Sequence, residues 1–171
     1  RRQISRRSER CAPVTAYPQL FAPIEIRGRR LRNRICLPAT VTNLARGNRI
    51  TEGYKNFLIE RAKGGAALLV TEVIAVDPNA IAQPAIVTGF DAANDADFAD
   101  LAGRVAAEGA VLVGQLWHPG KQQLWGATSS PMGVSDQPDA YSWTVPRVMT
   151  DAEIEGVAAA YVAVAAKLAP R

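Results

Sequence analysis

The stretch Gly114-Gln115-Leu116-Trp117-His118-Pro119-Gly120 puts a carboxamide, an indole and the chain's one histidine at the end of an apolar run, with Pro and Gly directly behind. A carboxamide donates and accepts hydrogen bonds at once, so Gln115 suits the mixed edge of a flat heterocycle. His118 is the natural candidate for a general base, but no Gly-x-Ser-x-Gly elbow or partnered nucleophile accompanies it. It reads instead as a residue that positions the loop beside a site. Two other apolar runs carry polar groups: "RICLPA" ends on Pro38, Ala39 and Thr40, and "AALLVTEVIAV" is interrupted by Thr71-Glu72 before Val73. Hydroxyl and amide without an acid–base pair favour holding a ring over hydrolysis. Each residue also has a plainer reading. Gln115 is then a polar strand end, Thr40 a β-branched strand residue and Trp117 a packed indole.

Other chemistries lack their parts. Cys11 and Cys36 are far apart, neither belongs to a CxxC, and one His cannot complete a zinc site with them. No metal is expected, a disulfide scaffold is excluded, and a reducing compartment fits. Cys36, inside "RICLPA", is expected to be a small buried apolar residue. The formal charge of +4 lies wholly in "RRQISRRSER", five Arg against Glu9, and the remainder carries fifteen basic and fifteen acidic residues. Nucleic-acid binding needs its basic groups spread over a folded surface, so this pattern argues against it. Residues 1–18 read as a solvated, disordered extension, with an organellar leader as the minor alternative. At 48% hydrophobic residues the chain is globular, without a membrane-length apolar run or a secretory signal, and a cytoplasmic location is expected. The first residue is Arg1 and "AAKLAPR" follows a helical pattern without a cap, so the chain is expected to be part of something longer.

The elements that must position these groups follow from periodicity. "LFAPIEIRGRRLRN" suggests a small hairpin turning at Arg27-Gly28. Strand Arg34–Ala39 leads to a helix over Thr51–Lys63, with Tyr54, Leu58 and Ala62 on one face and Gly64-Gly65 as its stop. Strand Ala66–Val76 is continuous enough to be buried on both faces. A loop follows, then a helix capped by Asn94 with Phe98, Leu101, Ala102 and Val105 facing the core. Strand Ala110–Trp117 leads through a long Gly, Pro and Ser loop to a helix whose capping box is Thr150 and Glu153. Ile154, Val157, Ala158, Tyr161, Ala165 and Leu168 form its expected buried stripe.

Three strand–helix units imply parallel right-handed crossovers and an α/β class. An open sheet normally carries GxGxxG after its first strand, and "KGGAALLV" instead precedes a strand. A (β/α)8 barrel needs about 250 residues, so three units make an incomplete, N-terminal portion of one. On either architecture ligands sit beyond the carboxyl ends of the strands, where Thr40 and Gln115 lie.

"LFAPIEIRGRRLRNRICLPATVT", "ITEGYKNFLIERAKGGAALLVTEVIAVDP", "GFDAANDADFADLAGRVAAEGAVLVGQLWHPGKQ" and "VPRVMTDAEIEGVAAAYVAVAAKLA", taken in order, resemble the N-terminal half of the old yellow enzyme family of FMN-dependent NAD(P)H oxidoreductases. The resemblance implies a partial TIM barrel over residues 19–171 with FMN at its carboxyl mouth. NADH or NADPH would reduce the FMN, and an activated, enone-like alkene would reoxidise it. By position, Pro38, Ala39 and Thr40 match the first-strand flavin contacts, the Thr40 hydroxyl near the O4 and N5 edge, and Gln115 matches the residue on the pyrimidine edge. Val73 stands where the family usually has Gly or Ala beside the ring. Trp117 and His118 fall in the substrate pocket. The family's substrate donors, proton-donating tyrosine and phosphate loops are expected beyond Arg171, and a homo-oligomer is left open. The alternative function is a truncated or degenerate chain that needs a partner to fold and catalyses nothing. An aldolase-type barrel is disfavoured, because Lys63 and Lys121 lie at a helix end and in a loop rather than on a strand.

Overall fold

The computed structural model describes residues 16–123, 130–141 and 143–169. The expectations for the basic extension up to residue 15, Cys11 included, lie outside these residues. After a short helix α1 (Pro18–Phe21), the chain forms the antiparallel hairpin β1 (Ile24–Ile26) and β2 (Arg29–Leu31). Arg27 and Gly28 both take positive φ, 47° and 77°, as a tight two-residue hairpin turn requires. Three parallel strands make the main sheet: β3 (Cys36–Leu37), β4 (Leu68–Ala75) and β6 (Val111–Trp117), with β4 in the centre. A two-residue strand β5 (Val87–Thr88) pairs with the carboxyl end of β4. β6 already occupies one edge of β4 there, so β5 lies on the β3 side. A further parallel pair, β7 (Met132–Gly133) and β8 (Arg147–Val148), sits in the excursion after β6.

The helices α2 (Glu52–Lys63), α3 (Asp95–Ala107) and α4 (Asp151–Leu168) follow β3, β5 and β8. Thr51 Oγ1 accepts the Tyr54 N–H at 3.1 Å to start α2, and Gly65, with φ 107°, ends it in a conformation that favours glycine. Both halves of the Thr150–Glu153 capping box are formed at the start of α4. Tyr54, Leu58, Ala62, Leu69, Leu101 and Val105 build the principal core between α2, α3 and β4. Across the same helix pair the buried Lys55 ammonium is held by Asp100 at 2.7 Å, Asp97 at 2.9 Å and Glu52 at 3.2 Å. Those bonds, Asp100 first, raise its pKa and keep it charged although burial opposes this. A buried charge is tolerable only with such partners.

The amino end of the strands is stitched by Arg32. Its guanidinium donates to Glu108 O at 2.7 Å and to Ala62 O and Ala66 O at 2.6 and 3.1 Å, placing a cation on carbonyls at the carboxyl ends of α2 and α3. Asn33 adds a bond to Gly65 O at 2.8 Å and accepts the Ile35 N–H.

Several expectations need correction. The first strand is only two residues long, and Cys36 is exposed; among the described residues β3 has β4 as its sole neighbour, so no strand covers Cys36 from the other side. Asn94 makes no capping bond to α3. Its amide is buried and donates to Thr88 O, Thr88 Oγ1 and Asn48 O, while its oxygen accepts from Ile50 N and Arg49 Nε. It knits the first loop to β5 instead, and Asp91 caps the turn before it. Ala102 is exposed on α3. On α4 only Val164 is buried, Ile154, Ala158 and Ala165 are exposed, and Val157, Tyr161 and Leu168 are half-buried. The helix meets the sheet along a narrower contact than its apolar stripe. A groove of about 810 Å³ remains beside it, lined by Phe98, Ala102, Leu112, Val113 and Leu168. Among the described residues β6 pairs with β4 alone, which leaves its other edge open. No helix among the described residues is long and apolar enough to cross a membrane.

Candidate active site

β4 and β6 run in register from Leu68↔Val111 to Val70↔Val113 and resume at Val73↔Gln115. Thr71 and Glu72 therefore oppose the single residue Gly114, which makes a β-bulge. Thr71 and Glu72, adjacent in sequence, are both buried, as are Ile74 and Ala75 further along this central strand. Thr71 Oγ1 donates to Glu72 O at 2.7 Å and accepts the Gln115 N–H at 3.1 Å. The backbone of Gln115 is fixed by a side chain where the ladder is broken. Its carboxamide has no hydrogen bond to the described residues, and the residue is exposed.

Pro38, Ala39 and Thr40 leave β3 at the same end of the sheet. Pro38 and Thr40 are exposed, and the Thr40 hydroxyl reaches only Pro38 O, at 3.3 Å. The loop they enter is anchored two residues later. Glu72 Oε2 accepts the Thr42 N–H at 2.6 Å and the Thr42 hydroxyl at 3.0 Å, and Thr42 Oγ1 in turn accepts the Leu44 N–H at 3.1 Å. The other Glu72 oxygen, Oε1, is buried and makes no hydrogen bond, as is the Tyr54 hydroxyl. Burial first, and the Glu72 charge second, push the Tyr54 phenol well above its ordinary value, so it stays neutral.

His118 is turned into the protein. Nδ1 accepts the Gly120 N–H at 3.0 Å, which puts the proton of the neutral ring on Nε2. Nε2 stands 3.7 Å from Asp77 Oδ2, too far for a hydrogen bond. Asp77 Oδ1 caps the turn after β4 through Asn79 N and Ala80 N. Burial lowers the His118 pKa against the opposing pull of Asp77. Trp117 is half-buried against Ala75, Ala80, Ala82 and Ile86, in company with Val73. Val73, Trp117, Val41 and Ile86 line a cavity of about 270 Å³. The Val73 methyls are thus part of this apolar wall.

Three adjacent parallel strands consequently present, at one end, a carboxamide without a partner among the described residues, a hydroxyl bonded only to Pro38 O, and exposed residues, near a small apolar cavity. Residues 19–170 match the family model described as NADH:flavin oxidoreductase / NADH oxidase. The chain belongs to that family. A relative, the NADH oxidase of Thermoanaerobacter brockii, is 32% identical over 148 residues, covering 84% of this chain and 23% of that protein. Among solved structures, 2-naphthoyl-CoA reductase in complex with 2-naphthoyl-CoA superposes with a TM-score of 0.80 at 24% identity, over 89% of this chain and 26% of the other. Morphinone reductase in complex with tetrahydroNAD gives 0.80 at 20% identity, over 88% and 46%. These neighbours are TIM-barrel reductases, so the three strand–helix units are a stretch of an incomplete (β/α)8 barrel, as expected from the sequence. The chain spans about a quarter to a half of the length of the relatives it matches.

The donor set at these strand ends has the mixed donors and acceptors that an isoalloxazine edge would need. Gln115 offers a donor and an acceptor with no partner to displace among the described residues, and Thr40 has only a local bond to Pro38 O to give up. Among the described residues no group of three His, Cys, Asp or Glu is arranged to hold a metal. Thr71, Glu72, Thr42 and Asp77 were not among the candidates read from sequence. The only signal for the first two is a pair of adjacent polar residues inside an apolar strand.

Proposed function

We propose that this chain supplies the first three strand–helix units of an FMN-dependent NAD(P)H oxidoreductase of the ene-reductase type, acting in the cytoplasm on a small enone-like substrate. Family membership supports a flavin reaction, and the Gln115 carboxamide at the carboxyl end of β6, unpartnered among the described residues, carries the reading. FMN, when bound, supplies hydride acceptance from a nicotinamide and hydride donation to an activated alkene. Gln115 holds the pyrimidine edge and is preorganised, since its backbone is already fixed by Thr71. Pro38, Ala39 and Thr40 border the ring at β3, with the Thr40 hydroxyl as donor. Val73 and Trp117 wall the cavity beside it and exclude water, and His118, neutral and tied to Gly120 N, shapes the loop beneath Trp117.

Gln115→Ala in the complete protein tests this. A buried ring edge deprived of its partner loses about 1–3 kcal/mol, so FMN affinity falls by about 5- to 150-fold. Fluorescence titration of the apoprotein with FMN measures it, and an unchanged Kd refutes the assignment of Gln115.

A further inference from the structure

We infer that the Thr71–Glu72 bulge is the device that sets both flavin-facing strand ends, Thr71 acting on Gln115 and Glu72 acting on the loop after Thr40. The inference rests on the flavin reading of Gln115 and Thr40 and adds two positioning residues to it. β4 lies between β3 and β6, so it alone borders both contact strands. In a regular strand adjacent side chains point to opposite faces. Thr71 and Glu72 stand at the bulge, both buried, and one reaches β6 while the other reaches the β3 loop.

Each bond replaces something the fold would otherwise lack. The register break at Gly114 takes the Gln115 N–H out of the ladder, and the Thr71 hydroxyl accepts it at 3.1 Å. The loop after β3 has no ladder partner at Thr42, and Glu72 Oε2 accepts both its N–H and its hydroxyl, across thirty residues of sequence. The site side chains themselves stay free: neither bond involves the Gln115 carboxamide or the Thr40 hydroxyl. Positioning through the backbone fixes a group while leaving its ligand-facing atoms unspent, which is what a preorganised site needs.

The test uses the complete protein. Thr71→Val and Glu72→Leu are each expected to raise the FMN Kd about tenfold, whereas Thr71→Ser and Glu72→Gln, which keep an acceptor in place, restore affinity to within about threefold. Thr71→Ala replaces Thr71→Val if the latter does not fold. Coupling separates positioning from general support of the fold. If Thr71 acts through Gln115, Thr71→Val adds nothing to the loss in Gln115→Ala; independent effects add in full. In the apoprotein Thr71→Val also speeds hydrogen exchange at the Gln115 amide. Additive losses, an unchanged Gln115 amide, or failure of the conservative variants to restore affinity each overturn the inference while leaving the flavin reading intact. An unchanged Kd in Gln115→Ala removes the flavin reading and the inference with it.

Discussion

His118 is held neutral by its surroundings, and that gives it a pH signature. Burial lowers its pKa below the ordinary 6.5, more than the Asp77 charge raises it. The unfolded chain therefore binds a proton at a pH where the folded ring does not. Its contribution to stability is complete above about pH 6.5 and is lost as pH falls through the folded value. The melting temperature of the complete protein is expected to drop as pH falls below about 6.5, and His118→Gln should flatten that slope. An equal slope in the variant would remove His118 as its source. Glu153 behaves in the same sense further down the scale. Arg147 and the Thr150 N–H lower its carboxyl from 4.5 to about 2, so the α4 capping box keeps its charge well into the acid range. At this scale the sequence was legible in placement: Gln115 and Thr40, polar residues closing apolar runs, stand exposed at the carboxyl ends of β6 and β3. Thr71 and Glu72 were not, because their role depends on a register break and on bonds to residues 44 and 30 positions away. Asn94 was misread for a related reason. Its type favours helix caps, but five tertiary bonds outcompeted the one local bond.

Elements were legible in proportion to how much of their pattern is local. The α2 boundaries, the hairpin turn and the capping box of α4 follow from residues within a few positions of one another, and all three formed as expected. Burial on α4 did not follow, because its apolar stripe is wider than the surface offered to it. The contact it does make is close. A Cβ at Gly89 would come within 2.5 Å of Val164 Cγ1 and 2.8 Å of Ile74 Cγ2, so α4 seats on the end of β5 only because residue 89 has no side chain. Lys167 closes the same joint, bonding Gly89 O at 3.1 Å and Asp95 at 2.6 Å. Gly89→Ala is expected to destabilise by about 1–3 kcal/mol through overpacking, read as a lower midpoint in urea unfolding. A midpoint equal to that of the parent would mean that α4 is not anchored there. β5 itself, two residues long, was invisible in the sequence because its pairing with Ile74 and Ala75 is entirely non-local.

On the scale of the molecule, the open edge of β6 and the groove between α3 and α4 expose apolar surface that a barrel buries. A polypeptide of these 171 residues alone is therefore expected to self-associate, to bind no FMN tightly and to show no NAD(P)H oxidase activity. Size-exclusion chromatography with absorbance in the flavin region decides it, and a yellow, monomeric, active peak would refute the expectation. The α/β class and the partial barrel were legible because strand–helix alternation is a regularity of the whole chain. The cavity beside Val73 was not, since its walls come from four separate segments. The Arg32 stitch has a consequence for descent. It binds the amino end of the strands, where carbonyls of two helices converge on one guanidinium, while Thr40, Val73 and Gln115 all stand at the other end. Substitutions at Thr40, Val73 or Gln115 leave the Arg32 bonds at the other pole untouched. A lineage built on this half-barrel can explore new chemistry while inheriting the same scaffold unchanged.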